Sequence, residues 1–412
     1  MLTEIGKKAK KAQRVFMTVG TQKKNEALLK IADALCENSA YILEENRKDI
    51  EKGRENGLNE GLIDRLSLDE KRIKGIADAV RKIVFLDDPV GKVIEGTTRP
   101  NGLVIEKVSV PIGVVAVIYE ARPNVTADAA ALCLKAGNCV ILRGGKEAFS
   151  SNKAIADTMR KAVRESGLPE NVIQLVENTD RESATALMTM NDYVDVLIPS
   201  GGAGLIKACV QNSTVPVIET GTGNCHVYVD EFADIDMAVN IVYNAKVSRP
   251  SVCNACESLV IHKNIAEKAL PLICSKLKEA NVTIHADEES IKYIPDAVPA
   301  TDEDYKKEYL DYKISVKTVG SLEEAVEHIV ENTTGHSECI VTENYNNARK
   351  FMSSVDAAAV YVNASTRFTD GGEFGFGAEI GISTQKLHAR GPLGLPELTT
   401  FKYLVYGNGQ IR

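Results

Sequence analysis

The chain has 412 residues, of which 44% are hydrophobic and 26% charged, and its formal net charge is −8. This composition is typical of a globular protein with a large core, and the length suggests two to three domains. The acidic balance disfavours nucleic acids and anionic membranes as partners, since both need a basic surface, and no apolar run approaches the ~18 residues of a membrane span. The N-terminal lysines precede no apolar block, so we expect no secretory signal and a cytoplasmic location.

The first ninety residues are predicted to be helical. Residues 22–52 place apolar side chains at helical spacing, with charged residues on the opposite face. Ser67 and Glu70 form a capping-box pattern, which predicts the start of a further helix. Glycines and prolines between residues 89 and 102 then end the helical pattern.

From residue 113 onward, predicted strands and helices alternate. The strands are short apolar runs at residues 113–119, 139–143, 172–176, 194–199 and 215–219. Uniformly apolar strands are typical of a parallel sheet that is covered on both faces. We therefore predict a doubly wound α/β domain here.

A second α/β region is predicted from about residue 255. Its strands are expected at residues 258–262, 314–319, 338–342 and 358–364, with helices at residues 264–280, 321–331 and 344–353. The last fifty residues are rich in glycine and end in an alternating stretch at residues 399–407.

The nine cysteines are an odd number in a chain without an expected export signal, so they do not indicate a disulfide framework. Six lie in apolar helical or strand-like patterns, where cysteine behaves as a small buried hydrophobe. These six are Cys36, Cys133, Cys139, Cys209, Cys274 and Cys339. The other three, Cys225, Cys253 and Cys256, lie in polar, turn-rich surroundings.

A Ser-Gly-Gly turn follows one predicted strand. Ser200 can cap the next helix, and Gly201 and Gly202 let backbone N–H groups approach an anion at the positive end of that helix. Such a turn suits the pyrophosphate of a dinucleotide, which binds at the carboxyl ends of parallel strands. A tight turn without a ligand explains the same glycines, so both interpretations stay open.

Gly144, Gly145 and Lys146 follow the predicted strand that ends at Arg143. Nicotinamide enzymes that prefer NAD place a carboxylate near the ribose 2′-OH, whereas basic residues accommodate the 2′-phosphate of NADP. Arg143 and Lys146 therefore favour NADP. The alternative is an exposed basic loop without a ligand.

A single Cys-x-x-Cys pair, Cys253 and Cys256, follows Arg249. One pair lacks the ligands that structural zinc needs, so we expect no metal, and a thioredoxin-like dithiol belongs near the start of a small domain. We interpret one of the two as a nucleophile whose thiolate the neighbouring Arg249 favours. The spacing leaves open which sulfur it is, and a non-enzymatic dithiol protein stays an alternative.

Six segments in order resemble the aldehyde dehydrogenase superfamily, in the branch that reduces acyl phosphates. They are YEARPNVTADAA (119–130), ILRGGKEA (141–148), IPSGGAGL (198–205), ETGTGNCHVYVD (219–230), RPSVCNACESL (249–259) and YVNASTRFTDGGEFGFGAEIGIS (361–383). The resemblance implies an α/β fold with a Rossmann-like NADP-binding domain, a catalytic α/β domain and a small β oligomerisation element. The corresponding ranges are 1–99 with 115–250, 251–380, and 100–114 with 381–412.

The resemblance implies NADPH-dependent reduction of L-glutamyl 5-phosphate to L-glutamate 5-semialdehyde and phosphate, the second step of proline biosynthesis. The family's nucleophile falls on Cys253, which is expected to form a thioacyl intermediate, and Cys256 lies outside the pattern. A hydrolytic or CoA-acylating aldehyde dehydrogenase is the nearest alternative. The absence of its Pro-Trp-Asn segment, replaced here by residues 120–123, argues against it.

The family pattern also carries the binding residues onto this chain. The cofactor residues implied are Arg143, Gly144, Gly145, Lys146, Ser200, Gly201, Gly202 and Glu308, the last of which would hold the nicotinamide ribose. Arg122, Arg249 and Arg367 are the expected partners of the anionic substrate, with a purely structural role as the alternative for each.

Two further residues are predicted to take part in the reaction. An oxyanion forms in both steps, and its candidate donors are Asn124, Asn254 and the backbone N–H of Cys253. Glu219 matches the residue that activates water in hydrolytic relatives. This reaction needs no water, so we expect Glu219 to have a positional role or to hold the nicotinamide.

The expected partners are a small-molecule substrate and further copies of the chain, as a homodimer or homotetramer. Because an acyl phosphate is labile, a transient contact with the glutamate 5-kinase that produces it is a further hypothesis.

Overall fold

The structure, a computed structural model, describes residues 2–412, so the predicted first domain begins one residue outside this range. The helices are α1 (Leu2–Phe16), α2 (Thr21–Glu37), α3 (Ser39–Glu55), α4 (Glu60–Leu66), α5 (Glu70–Val84), α6 (Pro123–Lys135), α7 (Phe149–Glu165), α8 (Arg181–Met188), α9 (Ala203–Asn212), α10 (Ile235–Val247), α11 (Lys263–Glu279), α12 (Leu322–Asn332) and α13 (Tyr345–Ser354). None of the described helices is long and apolar enough to cross a membrane.

The strands fall into four sheets. They are β1 (Val93–Thr98), β2 (Val104–Pro111), β3 (Val114–Tyr119), β4 (Cys139–Arg143), β5 (Ile173–Leu175), β6 (Val196–Ser200), β7 (Cys225–Val229), β8 (Cys256–His262), β9 (Thr283–Ala286), β10 (Val298–Pro299), β11 (Lys313–Val319), β12 (Ser337–Val341), β13 (Ala359–Val362), β14 (Ile382–Ser383), β15 (Gly391–Pro392) and β16 (Thr399–Tyr406).

The chain divides into two compact units. The first contains the residues up to Thr220 together with Gly375–Gly381 and Leu393–Arg412, and the second contains Gly221–Phe374 and Ile382–Pro392. The NADP-binding, catalytic and oligomerisation roles of the predicted domains, with their boundaries, stay predictions.

The N-terminal region is helical, as the sequence indicates, but its helix boundaries differ in two places. The predicted amphipathic stretch 22–52 is two helices, α2 and α3, separated at Asn38. The capping-box prediction at Ser67 is wrong, because Asp69 is the N-cap of α5 and its carboxylate accepts from the N–H of Arg72. Ser67 instead follows the end of the preceding helix, α4.

The first unit contains a four-stranded parallel sheet with the order β5-β4-β3-β6. Every residue of β3 and β4 is buried, as is nearly all of α6, which explains the unbroken apolar runs in these segments. From β3 the chain adds β4 and β5 on one side and then returns to place β6 on the other side. The carboxyl ends of β3 and β6 therefore form the topological switch point where ligands bind in such sheets.

The strand prediction for residues 215–219 is only partly correct. Within this segment, Val217 makes an isolated parallel bridge with Leu197, and the pairing does not extend into a strand. Pro216 has no N–H to donate, which limits its pairing with a neighbouring strand.

A three-stranded antiparallel sheet, β1-β2-β16, also belongs to the first unit. It pairs β2 in a continuous register with β16, from Thr399 opposite Pro111 to Tyr406 opposite Val104. Most residues of β1 and β16 are exposed, including Phe401, Tyr403 and Val405.

The second unit is built on a seven-stranded, wholly parallel sheet with the order β10-β9-β11-β8-β7-β12-β13. One apolar layer packs its strands against α10 and α11, and a second packs them against α12 and α13. The two layers explain why adjacent residues of one strand, such as Tyr228 and Val229, are both fully buried. The sequence predictions of a second α/β region and of its strands and helices are confirmed.

Candidate active site

Cys253 lies in the loop between α10 and β8 and is half-buried. All nine cysteines are reduced thiols, and apart from Cys253 and Cys36 they are buried. Cys256 is the first residue of β8, is fully buried and donates through Sγ to the carbonyl of Ser258. Burial raises the pKa of the Cys256 thiol to about 12, which disfavours its thiolate. Exposure therefore favours Cys253 as the nucleophile.

Two residues of the preceding strand region pack directly on the backbone of Cys253. A Cβ added to Gly223 would lie 1.5 Å from the carbonyl oxygen of Cys253, so only glycine fits there. The same carbonyl accepts a hydrogen bond from Cys225 Sγ at 3.1 Å. The sequence did not indicate either contact, because the two segments are separated by about thirty residues.

Asn254 clamps the loop from its other side. Its side-chain Nδ2 donates to the carbonyl of Thr369 at 2.9 Å, and its Oδ1 accepts from the guanidinium of Arg367. Its backbone carbonyl accepts from Thr366 Oγ1 at 2.7 Å. Both ends of the Asn254 amide are thus engaged with residues 366–369, which fixes the residue next to Cys253.

Two of the three predicted substrate arginines lie beside this loop. Arg367 is half-buried and donates through Nε to Ser248 Oγ at 3.1 Å, whereas Arg249 is exposed. Burial lowers the pKa of the Arg367 guanidinium, and the positive charge of Arg249 adds to this effect. The second unit thus places two cations near Cys253. Arg122 belongs to the first unit, where it is exposed and immediately precedes α6.

Glu308 connects to the same loop through Gly223. Its Oε1 accepts from the N–H of Gly223 at 2.8 Å, and Gly223 in turn packs against Cys253. Burial raises the pKa of the Glu308 carboxyl. The geometry places Glu308 in the set of contacts around Cys253, and its predicted contact with a cofactor stays a prediction.

The carboxyl edge of the four-stranded sheet carries the predicted cofactor turns of the first unit. Gly144, Gly145 and Lys146 follow β4, and Gly201 and Gly202 follow β6. The prediction that Ser200 caps the next helix is wrong, because Ser200 is a buried residue of β6. Gly202 occupies the N-cap position of α9.

The structure adds Glu120 to this edge. It follows β3, and its carboxylate accepts from the N–H of Gly202 at 2.9 Å. A Cβ on Gly201 would lie 2.8 Å from the same carboxylate, and one on Gly145 would lie 3.4 Å from the Glu120 backbone. Glu120 thus occupies the anion position at the start of α9. The sequence contained this residue only as part of the substituted segment 120–123.

The two basic residues predicted for the cofactor differ in their surroundings. Arg143 is buried and donates to the carbonyls of Thr179 and Asp180 at 2.6 and 3.0 Å. Burial lowers the pKa of its guanidinium. Lys146 is exposed. Lys146 is thus the more accessible of the two to a 2′-phosphate.

Asn124 and Glu219 belong to the first unit. Asn124 is exposed in the first turn of α6, and its Nδ2 donates to Asp128 at 3.0 Å. Burial raises the pKa of the Asp128 carboxyl to about 6. Glu219 is half-buried after the bridge at Val217. Their predicted roles stay predictions.

The carboxyl edge of the four-stranded sheet offers hydrogen-bond donors that suit a dinucleotide. Two glycine turns, the first turn of α9 and one exposed lysine lie at the carboxyl ends of neighbouring strands, where a pyrophosphate binds. Within the described residues, no group of three or more His, Cys, Asp or Glu side chains could hold a metal ion.

Comparison with known proteins gives a consistent assignment. The aldehyde dehydrogenase family model matches residues 2–312. Two proteins named gamma-glutamyl phosphate reductase, from Clostridium botulinum (strain Eklund 17B) and Lachnospira eligens, are each 60% identical, over 407 and 411 residues. The matches cover 99% and 100% of this chain and 98% and 99% of those proteins.

Solved structures agree with this assignment. The crystal structure of gamma-glutamyl phosphate reductase from Thermotoga maritima is 51% identical with a TM-score of 0.97, covering 100% of this chain and 99% of that one. An acetylating aldehyde dehydrogenase from Geobacillus thermoglucosidasius shares the fold, at 19% identity and a TM-score of 0.73, covering 100% and 97%. The chain therefore belongs to the aldehyde dehydrogenase family, among the gamma-glutamyl phosphate reductases.

Proposed function

We propose that the chain reduces L-glutamyl 5-phosphate to L-glutamate 5-semialdehyde and phosphate, with NADPH as the reductant, as a step of proline biosynthesis. The observation that carries the proposal is the loop of Cys253. This half-buried thiol is held by Gly223 and Asn254 and lies near two arginines. The names of the full-length relatives supply the substrate class.

The nucleophile and its neighbours supply the first step. The Cys253 thiolate attacks the acyl carbon, the C–O bond to phosphate breaks, and phosphate leaves with the electron pair, so that a thioester remains on Cys253. Arg249 and Arg367 stabilise the thiolate and bind the anionic groups of the substrate. The backbone N–H of Cys253 is our first candidate for the oxyanion donor, because both ends of the Asn254 amide are occupied.

The second step regenerates the thiolate. When bound, NADPH supplies the hydride that reduces the thioester carbon. The resulting thiohemiacetal loses the C–S bond, which releases the aldehyde and returns the electron pair to Cys253. The reaction uses no water as a reactant, so Glu219 needs no basic role, and we assign it to positioning.

The turns of the first unit are proposed to bind the cofactor. Gly201 and Gly202 would face the pyrophosphate, and Lys146 would face the 2′-phosphate, which favours NADP over NAD. The first unit is therefore the proposed cofactor unit, and the second unit, with Cys253, the proposed catalytic unit.

The three-stranded sheet is proposed to join copies of the chain. Exposed apolar residues lie on β1 and β16, among them Val93, Ile94, Phe401, Tyr403 and Val405. An exposed apolar sheet of this kind is typical of an interface. We propose a homo-oligomer, a cytoplasmic location and a transient contact with glutamate 5-kinase. Crosslinking in cell extract tests the kinase contact, and repeated failure to recover the kinase would contradict it.

The reaction is best tested in reverse. The semialdehyde cyclises to pyrroline-5-carboxylate, so the expected result is phosphate-dependent reduction of NADP⁺ in the presence of this imine. Absence of a phosphate effect would exclude acyl-phosphate chemistry. Cys253→Ala should lower the rate by about 10⁴-fold or more, as loss of a nucleophile does. The matched control, Cys256→Ser, should stay active, and loss of its activity without loss of folding would support the dithiol alternative.

A further inference from the structure

A buried ion pair closes the base of the nucleophile loop. Lys246, in the last turn of α10, and Glu257, the second residue of β8, flank the loop on its two sides. Lys246 Nζ lies 2.5 Å from Glu257 Oε2, and both side chains are fully buried. The loop that carries Cys253 therefore starts and ends at one ion pair.

The second carboxylate oxygen of Glu257 reaches another segment. Its Oε1 accepts from the N–H of Leu310 at 3.1 Å. Leu310 has φ of 53°, a left-handed backbone conformation that a leucine rarely adopts. The hydrogen bond that the N–H of Leu310 donates to the buried Glu257 carboxylate stabilises this unfavourable turn, which comes two residues after Glu308.

The contacts return from this turn to the nucleophile. Glu308 Oε1 holds the N–H of Gly223, and Gly223 packs against the carbonyl of Cys253. The path runs from the loop base at Glu257, through Leu310 and Glu308, and back to the loop at Cys253. The steps are two hydrogen bonds, one backbone contact and the short chain segment between Glu308 and Leu310, all within the second unit.

Stability alone does not explain this pair. Burying a lysine and a glutamate together costs desolvation free energy, and apolar residues of similar shape are often equally or more stable. What the Glu257 carboxylate provides is a fixed orientation. Lys246 holds one of its oxygens, so that the other oxygen can accept from the N–H of Leu310.

We propose that Glu257, oriented by Lys246, is a positioning residue that sets the turn of Glu308 and thereby the place of the Glu308 carboxylate in the active site. This inference rests on the proposed function and on the predicted contact between Glu308 and the nicotinamide ribose. Glu257 and Lys246 themselves touch neither substrate nor cofactor.

The test compares two double variants that both remove the buried charges. Lys246→Met with Glu257→Gln keeps an oxygen that accepts from Leu310, whereas Lys246→Met with Glu257→Leu has a similar shape and no acceptor. We expect the first to keep the KM for NADP⁺ within about threefold of wild type and the second to raise it about tenfold, with a change in kcat below threefold. Equal KM values for the two variants would overturn the proposal.

A double-mutant cycle with Glu308→Gln separates positioning from a general loss of structure. If Glu257 acts through Glu308, adding Glu308→Gln to the leucine variant raises the KM for NADP⁺ no further. Additive increases would contradict the proposal. If the double variant with Glu257→Leu fails to fold, the double variant with Glu257→Gln still tests the proposal. A KM for NADP⁺ as high in that variant as in Glu308→Gln alone would overturn the proposal.

The failure of this inference is distinct from failure of the proposed function. If the wild-type chain shows no phosphate-dependent reduction of NADP⁺, the proposed function is wrong. If the wild type is active and the two double variants share one KM, only the positioning role is wrong.

Discussion

A side chain added at Gly201 and one added at Gly223 would meet very different neighbours. At Gly201, the new Cβ would lie 2.8 Å from the flexible carboxylate of Glu120, which can turn away. At Gly223, it would lie 1.5 Å from a backbone carbonyl that cannot. The carboxyl edge of the first unit is thus an adjustable set of backbone donors, and the loop of the proposed nucleophile, Cys253, is held rigidly in the second unit.

The difference follows from how each region obtains its partners. The edge offers N–H groups and one exposed lysine, and a carboxylate of the chain itself occupies one donor. The nucleophile loop is held by Cys225, Asn254 and Gly223, all of them buried. A binding edge tolerates adjustment when a ligand arrives, whereas a nucleophile must be held within a fraction of an ångström of its reacting position.

The largest effect should come from alanine at Gly223, compared with alanine at a glycine of the first unit. Gly223→Ala must displace the backbone of Cys253, so we expect the reverse reaction to slow by about 10²-fold or more, given the cost of misplacing a reacting group. The matched control is Gly204→Ala in α9, where nothing lies within 4 Å of the new Cβ. The control should stay near wild-type activity. Comparable losses in both variants would remove the contrast between the two regions.

The next effect is a dependence of stability on pH at the nucleophile loop. His336 Nδ1 lies 3.7 Å from Cys225 Sγ, and burial lowers the pKa of this histidine to about 4. Between pH 6.5 and 4 the unfolded chain binds a proton that the folded chain excludes. The free energy of unfolding should therefore fall by about 3 kcal/mol on acidification through this window.

Urea unfolding midpoints between pH 4.5 and 7 measure this loss. His336→Gln removes the titrating group and should flatten the slope against pH. Burial also lowers the pKa of His328 to about 4, so this second histidine should leave a residual slope of the free energy of unfolding against pH. An unchanged slope in His336→Gln would show that the titration of His336 does not contribute to the loss of stability.

A smaller effect is expected at the carboxyl edge of the first unit, where a substitution should improve cofactor binding rather than impair the reaction. Glu120→Gln removes a negative charge from the start of α9, where it competes with a pyrophosphate for the N–H of Gly202. A charge at a helix end is worth about 1 kcal/mol, so we expect the KM for NADP⁺ to fall about three- to fivefold. Glu51→Gln, on the exposed face of α3, is the control and should change nothing. A rise in KM for Glu120→Gln would mean that Glu120 assists binding.

The smallest effect is predicted for Glu219→Gln. If Glu219 has a positional role only, the rate should change by less than about threefold, because no water is activated in the proposed reaction. A loss as large as that of Cys253→Ala would contradict this role. Progress curves with pyrroline-5-carboxylate, phosphate and NADP⁺ measure both variants side by side.

Sequence patterns predicted the fold well because the apolar runs are local. Strands such as β3 and β4 are buried along their whole length, and a run of β-branched residues records that burial directly. The pattern failed where capping or pairing depends on one atom, as at Ser200, which lies within β6, and at Pro216, which lacks an N–H.

The site was predictable only as a set of turns and a cysteine. The clamp on Asn254 comes from Arg367 and Thr369, more than a hundred residues away, and the contact from Glu120 to Gly202 spans 82 residues. No spacing rule connects such positions, because tertiary packing alone brings them together. The pair of Lys246 and Glu257 is closer in sequence but reads as ordinary surface charge until its burial is known.

The pairing of β16 with β2 also determines when the first unit can be completed during synthesis. β2 ends at Pro111, but its second neighbour in the sheet, β16, begins only at Thr399. The side chain of Asn138 donates to the carbonyl of Leu398, just before that strand. A ribosome must therefore synthesise the chain to beyond Tyr406 before this sheet can close. The second unit has its own parallel sheet, which can form while one edge of β2 is still unpaired.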